Sequence, residues 1–217
     1  KFLIVGLLRN CQKKINETIN CLDEAFLFAE KKEYYLVESD SEDETIKLLK
    51  DIKSKRIDFN YVSLGNLAPK IPNRVERIAY CRNKYIKYLW EKKNDWVDYL
   101  VIVDMDGVCT KLTSSSVKSC WNKKNWAVCT SNQSDYYYDI YALRHPSWSP
   151  NDFILSDIKN KKLGFNDQHL MLNLYSKMIH ISNKLDFIKV ESAFSGLAIY
   201  KKSSIPLYAR YGHLDQN

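Results

Sequence analysis

An α/β fold with a mixed, mainly parallel sheet flanked by helices is predicted for this chain, and three observations predict it. Strand-like and helix-like stretches alternate throughout the first half. The strand stretches are short apolar runs, residues 2–5 and Tyr99–Val103 being typical, as expected of buried strands. Polar residues follow those runs at the strand ends where ligands bind on parallel sheets.

Each element has its own signal. Phe2–Leu8 reads as a buried strand, and residues 13–30 carry Ile15, Ile19, Leu22, Phe26 and Ala29 at helical spacing. Residues 34–37 form a second short strand. Ser41 then caps a helix with acids in its first turn, ahead of Ile46, Leu49 and Ile52. Residues 57–62 are a third strand. After the Pro69/Pro72 loop, Asn73 caps a long helix to about Lys92, with Glu76 placed for a capping box. Residues 98–103 close the regular half as a fourth strand. In the second half, residues 126–130, 137–143, 187–190 and 196–200 read as strands and 168–181 as an amphipathic helix. An aromatic loop lies at 145–150. Trp121, Trp148 and Tyr136, Tyr137 and Tyr138 are either core or a platform of flat rings for a sugar.

With 217 residues, the chain suffices for one domain with a sizeable core. Its +7 net charge is spread over lysine pairs without a block of like charges, which excludes a dedicated nucleic-acid tail but favours an anionic ligand. No apolar run approaches the ~18 residues of a transmembrane helix. Six cysteines without CxxC spacing read as reduced thiols of a cytoplasmic protein, and no signal peptide is visible. Lys1 rather than Met opens the chain and residues 212–217 form a polar turn, so a longer natural protein with further domains is expected.

The chemistry concentrates in Asp104-Met105-Asp106-Gly107, a turn that follows the fourth strand. If strand alternation persists, both carboxylates lie on one side. Hard oxygen ligands with open positions suit Mg²⁺ or Mn²⁺, with phosphate oxygens completing the shell. Two enzyme classes use such a turn. Haloacid dehalogenase-type phosphatases would make Asp104 a nucleophile. Their turn usually opens the core, however, whereas three strands precede this one, and Ile188-Lys189-Val190-Glu191 offers one acid where a pair is expected.

The other class is better matched along the chain. Val5-Gly6-Leu7-Leu8-Arg9-Asn10 resembles the first strand and nucleotide loop of GT-A-fold glycosyltransferases. Glu38-Ser39-Asp40 resembles their second-strand end, and Arg77-Ile78-Ala79-Tyr80-Cys81-Arg82-Asn83 their arginine-bearing helix. Glu191-Ser192-Ala193-Phe194-Ser195-Gly196 resembles the segment lining their donor-sugar and acceptor site. The order of these pieces is similar to that of the cryptococcal capsule mannosyltransferase type and of glycosyltransferase domains of large DNA viruses.

That resemblance implies one GT-A domain, with residues 1–107 a nucleotide-binding half and 108–217 an acceptor and sugar half. It implies transfer of a sugar from a nucleotide donor, a UDP-sugar above all, to a glycan or glycoprotein. Leu7, Arg9, Glu38, Ser39, Asp40, Arg82, Asp104, Met105, Asp106, Ser195 and Gly196 would bind the donor. Asp106, assisted by Asp104, would hold the metal, with His213 a third ligand. Glu191 or Asp152 would be the base of an inverting enzyme. Asp167 resembles the Asp-Gln pair of some retaining ones, towards which the reading leans, although a helix cap is an equal role for it. A sugar-nucleotide-binding module without activity is the remaining alternative.

Overall fold

The computed structural model describes residues 1–212. Strands β1 (Phe2–Leu8), β2 (Lys32–Glu38), β3 (Phe59–Ser63) and β4 (Tyr99–Val103) alternate with helices α1 (Ile15–Ala25), α2 (Thr45–Lys55) and α3 (Arg74–Leu89). Further along come α4 (Ser114–Ser119), β5 (Val128–Thr130), α5 (Phe153–Lys162), α6 (Asp167–Lys177) and β6 (Leu197–Lys201). The six strands form one sheet in the order β3-β2-β1-β4-β6-β5. β1 runs parallel to β2 from Phe2↔Lys32 to Leu8↔Glu38, and parallel to β4 from Phe2↔Tyr99 to Val5↔Ile102. β2 and β3 are parallel as well. The sheet is mixed and mostly parallel, as expected.

Chain contacts divide the protein into two compact units. One comprises Lys1–Cys129 together with the described residues from Ile199 on, and the other Thr130–Ala198. In the first unit β1 is buried except at Leu7, because crossover helices cover both faces of a parallel sheet. Phe2 is packed edge-on against Phe26 and Phe28, with ring centroids 5.1 and 5.8 Å away. Bringing both rings back to β1 takes the chain off its helical path, so α1 ends at Ala25 instead of continuing to residue 30. Asn73 caps α3 as predicted, accepting from the Val75 and Glu76 amides. Ser41 does not cap α2, which starts at Thr45. Its hydroxyl accepts from the Asn10 amide instead.

The second unit departs further from expectation. Tyr137, Ile140 and Leu143 share a buried cluster with Phe153 and Leu174. Their spacing is three, not two, so residues 137–143 wind through turns and form no strand. Residues 187–190 form no strand either, and Phe187 and Ile188 are exposed. Helix α5, unanticipated, is capped by Asp152, whose side chain accepts from the Leu155 amide. Of the aromatic residues read as core or platform, Tyr137 is buried and Trp148 packs against that cluster and donates Nε1–H to the Lys177 carbonyl at 2.7 Å, while Tyr136 and Tyr138 are exposed.

At Gly6 the end of β1 packs tightly against the end of β4. A Cβ there would lie 2.6 Å from the Val103 carbonyl oxygen and 2.8 Å from Met105 Cγ. Gly6→Ala is therefore expected to destabilise the protein by about 1–3 kcal/mol through overpacking, read as a lowered midpoint in urea unfolding.

Candidate nucleotide and metal site at the β1–β4 switch point

Chain order reverses between β1 and β4: from β1 the chain steps to β2 and β3 on one side, then returns to β4 on the other. Ligands of open α/β sheets bind outside the strand carboxyl ends at such a switch point. Arg9-Asn10 leaves β1 there, and Asp104-Met105-Asp106-Gly107 leaves β4 there. Alternation persists through the turn. Met105 is 1% exposed, Asp104 is half-buried and Asp106 is exposed. Gly107 adopts φ +97°, where a side chain would be strained. The Cys21 thiol on α1 donates to the Cys109 carbonyl at 2.9 Å, fixing the loop after the turn.

Electrostatics show the strand ends sharing one field. The Cys11 thiol is pushed up by burial and by the carboxylates of Asp106, Asp43 and Glu38, which follow β4 and β2. Cys109 is pushed up to about 12 by burial, with Asp104 and Asp106 adding to it. Such an acidic rim attracts a cation, and a diphosphate would enter it only with charge compensation. Two neighbouring carboxylates, one of them exposed, fit a hard divalent ion that keeps positions open for phosphate oxygens. Among the described residues no group of three His, Cys, Asp or Glu converges to hold a metal. His213, the expected third ligand, lies outside the described residues.

The loops after β1 and β2 are laced together. The Asn10 side chain accepts from the Glu42 amide at 2.8 Å, the Cys11 amide donates to Thr45 Oγ1 at 2.8 Å, and the Gln12 amide to Asp43 at 3.1 Å. Asn10 and Asp40 both hold positive φ, 53° and 59°. Arg9 is exposed at the rim and Leu7 is half-buried beside it.

Glu38 has a different task from the expected contact with the nucleoside. It is fully buried, one carboxylate oxygen accepting from the Ser41 amide and the other from the Ser63 hydroxyl. Asp40 likewise accepts from the Leu67 and Ala68 amides, both at 2.8 Å, with Arg77 3.7 Å away. Ser39 donates its amide to the Leu8 carbonyl, and its hydroxyl lies 3.6 Å from Cys81 Sγ. Arg82 sits midway along α3, its guanidinium 5.1 Å from the Tyr211 ring centre.

The other predicted residues belong to the second unit. Ser195 and Gly196 have φ +58° and +88°, a kink leading into β6. Asp139 accepts the Ser195 amide at 2.9 Å, while the Ser131 hydroxyl and the Gln133 amide donate to the Ser195 carbonyl at 2.6 and 3.0 Å. The buried Ser195 hydroxyl has no hydrogen-bond partner among the described residues, an arrangement that costs about 1–3 kcal/mol. Ser131, Gln133 and Asp139 were not singled out in the sequence. Nothing in its spacing links them to a residue more than fifty positions away. Asp152 pairs with Arg144 while capping α5. Asp167 opens α6 and is exposed, 3.7 Å from Lys161, and Asn166 rather than Asp167 supplies the cap. Glu191 is exposed and donates its amide to the Arg144 carbonyl.

No known protein family matches the chain. No curated protein matches it either. Solved structures do resemble it. S. aureus TarS 1-349 in complex with UDP-GlcNAc is 18% identical over 66% of this chain and 43% of that chain, with a TM-score of 0.43. The same protein in complex with UDP is 18% identical over 56% and 31%, with a TM-score of 0.40. The mannosyltransferase PcManGT from Pyrobaculum calidifontis, in complex with GDP-Man and Mn²⁺, is 16% identical over 61% and 35%, with a TM-score of 0.43. The chain spans less than half the length of each. Among the described residues no helix is long and apolar enough to cross a membrane.

The Asp40 carboxyl is raised by burial, but the Ala68 amide, the Ser39 hydroxyl, the Leu67 amide and Arg77 more than offset this, leaving it below its ordinary 3.8. Folding thus favours the ionised form. The stability it contributes is present above pH 3.8 and is lost as pH falls through the lower folded value. Asp40→Asn is expected to lower the urea midpoint at neutral pH and to lose less than the native chain on acidification, a difference measurable by paired unfolding curves.

Proposed function

We propose that the chain is a nucleotide-sugar glycosyltransferase whose donor diphosphate binds at the β1–β4 switch point through a divalent ion on Asp104 and Asp106. One observation carries the reading: the paired carboxylates leave β4 at the place where an open α/β sheet presents its ligand crevice. Mg²⁺ or Mn²⁺ there would act as Lewis acid and template for the leaving diphosphate. Asp106 is the exposed ligand and Asp104 its partner, with room in that role for a ribose hydroxyl. Arg9 at the same rim supplies positive charge to phosphate oxygens, as Arg82 does from α3. Glu38, Ser39 and Asp40 keep the nucleoside loop in shape from behind.

In the second unit the Ser195-Gly196 kink exposes backbone without a side chain at Gly196, which suits close approach of a sugar. Asp139, Ser131 and Gln133 position it. Asp152 is spent on Arg144 and on the α5 cap, which weakens its claim as an inverting base and leaves Glu191 for that role. A retaining course is the one we favour, with the leaving phosphate taking the acceptor proton and Asp167 beside the sugar. The acceptor is a glycan or glycoprotein.

Calorimetry with UDP, UDP-GlcNAc and GDP-mannose, each with and without Mn²⁺, tests the reading. Metal-dependent binding of at least one is expected, and Asp106→Ala should remove the metal-dependent part and lower donor hydrolysis about 100-fold or more. No nucleotide binding in either condition would sink the proposal. Binding without donor hydrolysis would leave a binding module, and a phosphorylated Asp104 would point to a phosphatase.

A further inference from the structure

Exposed apolar side chains are unevenly spread. Of the 22 large hydrophobic residues exposed among the described residues, 11 lie between Ile154 and Ile188, in the second unit. Seven of them lie on α5 and α6 or in the turn between them, and four, Ile179, Leu185, Phe187 and Ile188, lie in the loop that follows. Phe153, Leu170 and Leu174 face inward and are buried. Gly164, in the turn between α5 and α6, holds φ +86° with open space around it. Leu163 and Phe165 flank that glycine, 66% and 48% exposed, and Leu172 and Tyr175 continue the apolar surface along α6.

The charges around this surface say what covers it. Residues 154–189 hold six lysines against three aspartates. Three of the lysines, Lys159, Lys161 and Lys162, fill the last turn of α5 just before Leu163 and Phe165, and all are exposed. Lysine is depleted from protein–protein interfaces. Apolar residues rimmed by lysine are instead the composition that lies in a lipid headgroup layer, with hydrocarbon taking the apolar side chains and anionic headgroups the amines.

We infer that the turn between α5 and α6, led by Leu163 and Phe165 and flanked by Lys159 and Lys162, is a docking surface for an anionic phospholipid membrane. Leu163 and Phe165 enter the acyl boundary, while the lysine stems lie along the interface with their amines among the phosphates. This attaches the chain peripherally and reversibly, and it is independent of the chemistry at the β1–β4 switch point.

Co-sedimentation of the full chain with vesicles of phosphatidylcholine alone, and of phosphatidylcholine mixed with phosphatidylglycerol, tests the inference. Partitioning onto the mixed vesicles is expected to exceed that onto phosphatidylcholine and to fall with salt. Lys159→Gln/Lys162→Gln should lower it about tenfold, and Leu163→Ser/Phe165→Ser should abolish it on both. These side chains are solvent-exposed, so both variants should keep the native circular dichroism. If the native chain stays in the supernatant with mixed vesicles, or if both variants bind as it does, the inference is overturned. A dimer by sedimentation velocity that Leu163→Ser/Phe165→Ser dissolves, without vesicle binding, would overturn it in favour of a second copy.

Discussion

The close approach of β1 and β4 at Gly6 governs the candidate site. Met105 can be buried only because position 6 has no side chain, and burying Met105 turns Asp104 and Asp106 to the other side of the chain. The carboxylates are therefore presented by a packing contact rather than by a ligand. In the proposed role, a metal would meet a turn already shaped by packing, which would spare it the entropy of ordering the loop. Cys21 on α1 adds a second tether just beyond the turn, and Gly107 allows the chain to bend away without strain.

Around that contact the two neighbouring loops behave as one. The loop after β1 gives amides to Ser41, Asp43 and Thr45, and the loop after β2 gives amides back to Asn10 and Gln12. Each loop completes the backbone hydrogen bonding of the other, which a surface loop otherwise leaves to water. Glu38 and Asp40 belong to this scaffold. A buried carboxylate is tolerated when donors meet it: both oxygens of Glu38 accept hydrogen bonds from within the chain, and one oxygen of Asp40 accepts two while Arg77 lies 3.7 Å from the other. Acidic residues at a strand end thus do two kinds of work here, and burial separates them: Asp106 faces out, Glu38 faces in.

The second unit is built on a different principle. It contributes little regular sheet, and its core is a knot of aromatic and aliphatic side chains brought together by turns. Hydrogen bonds from side chains to backbone hold it, as at Trp148 on Lys177 and at the three groups around Ser195. The turn between α5 and α6 leaves Leu163 and Phe165 exposed, and clustered exposed apolar side chains mark interaction sites.

Local pattern was enough for the first half. Continuous apolar runs marked β1 and β4, helical spacing marked α1, and Asn73 marked the start of α3, because each of these signals acts over a few residues. The Asp-x-Asp turn was legible for the same reason. The second half misled where a short apolar run fits more than one period: Tyr137, Ile140 and Leu143 are spaced by three, and only the packed cluster shows that this spacing rules out a strand. The sequence by itself determined the order of strands and helices as far as β4 and the pair of carboxylates at its end. Only the tertiary structure decided that Glu38 is buried, that Asp139 holds Ser195, and that β4 lies beside β1. Those outcomes depend on contacts between distant residues, and no local periodicity encodes them.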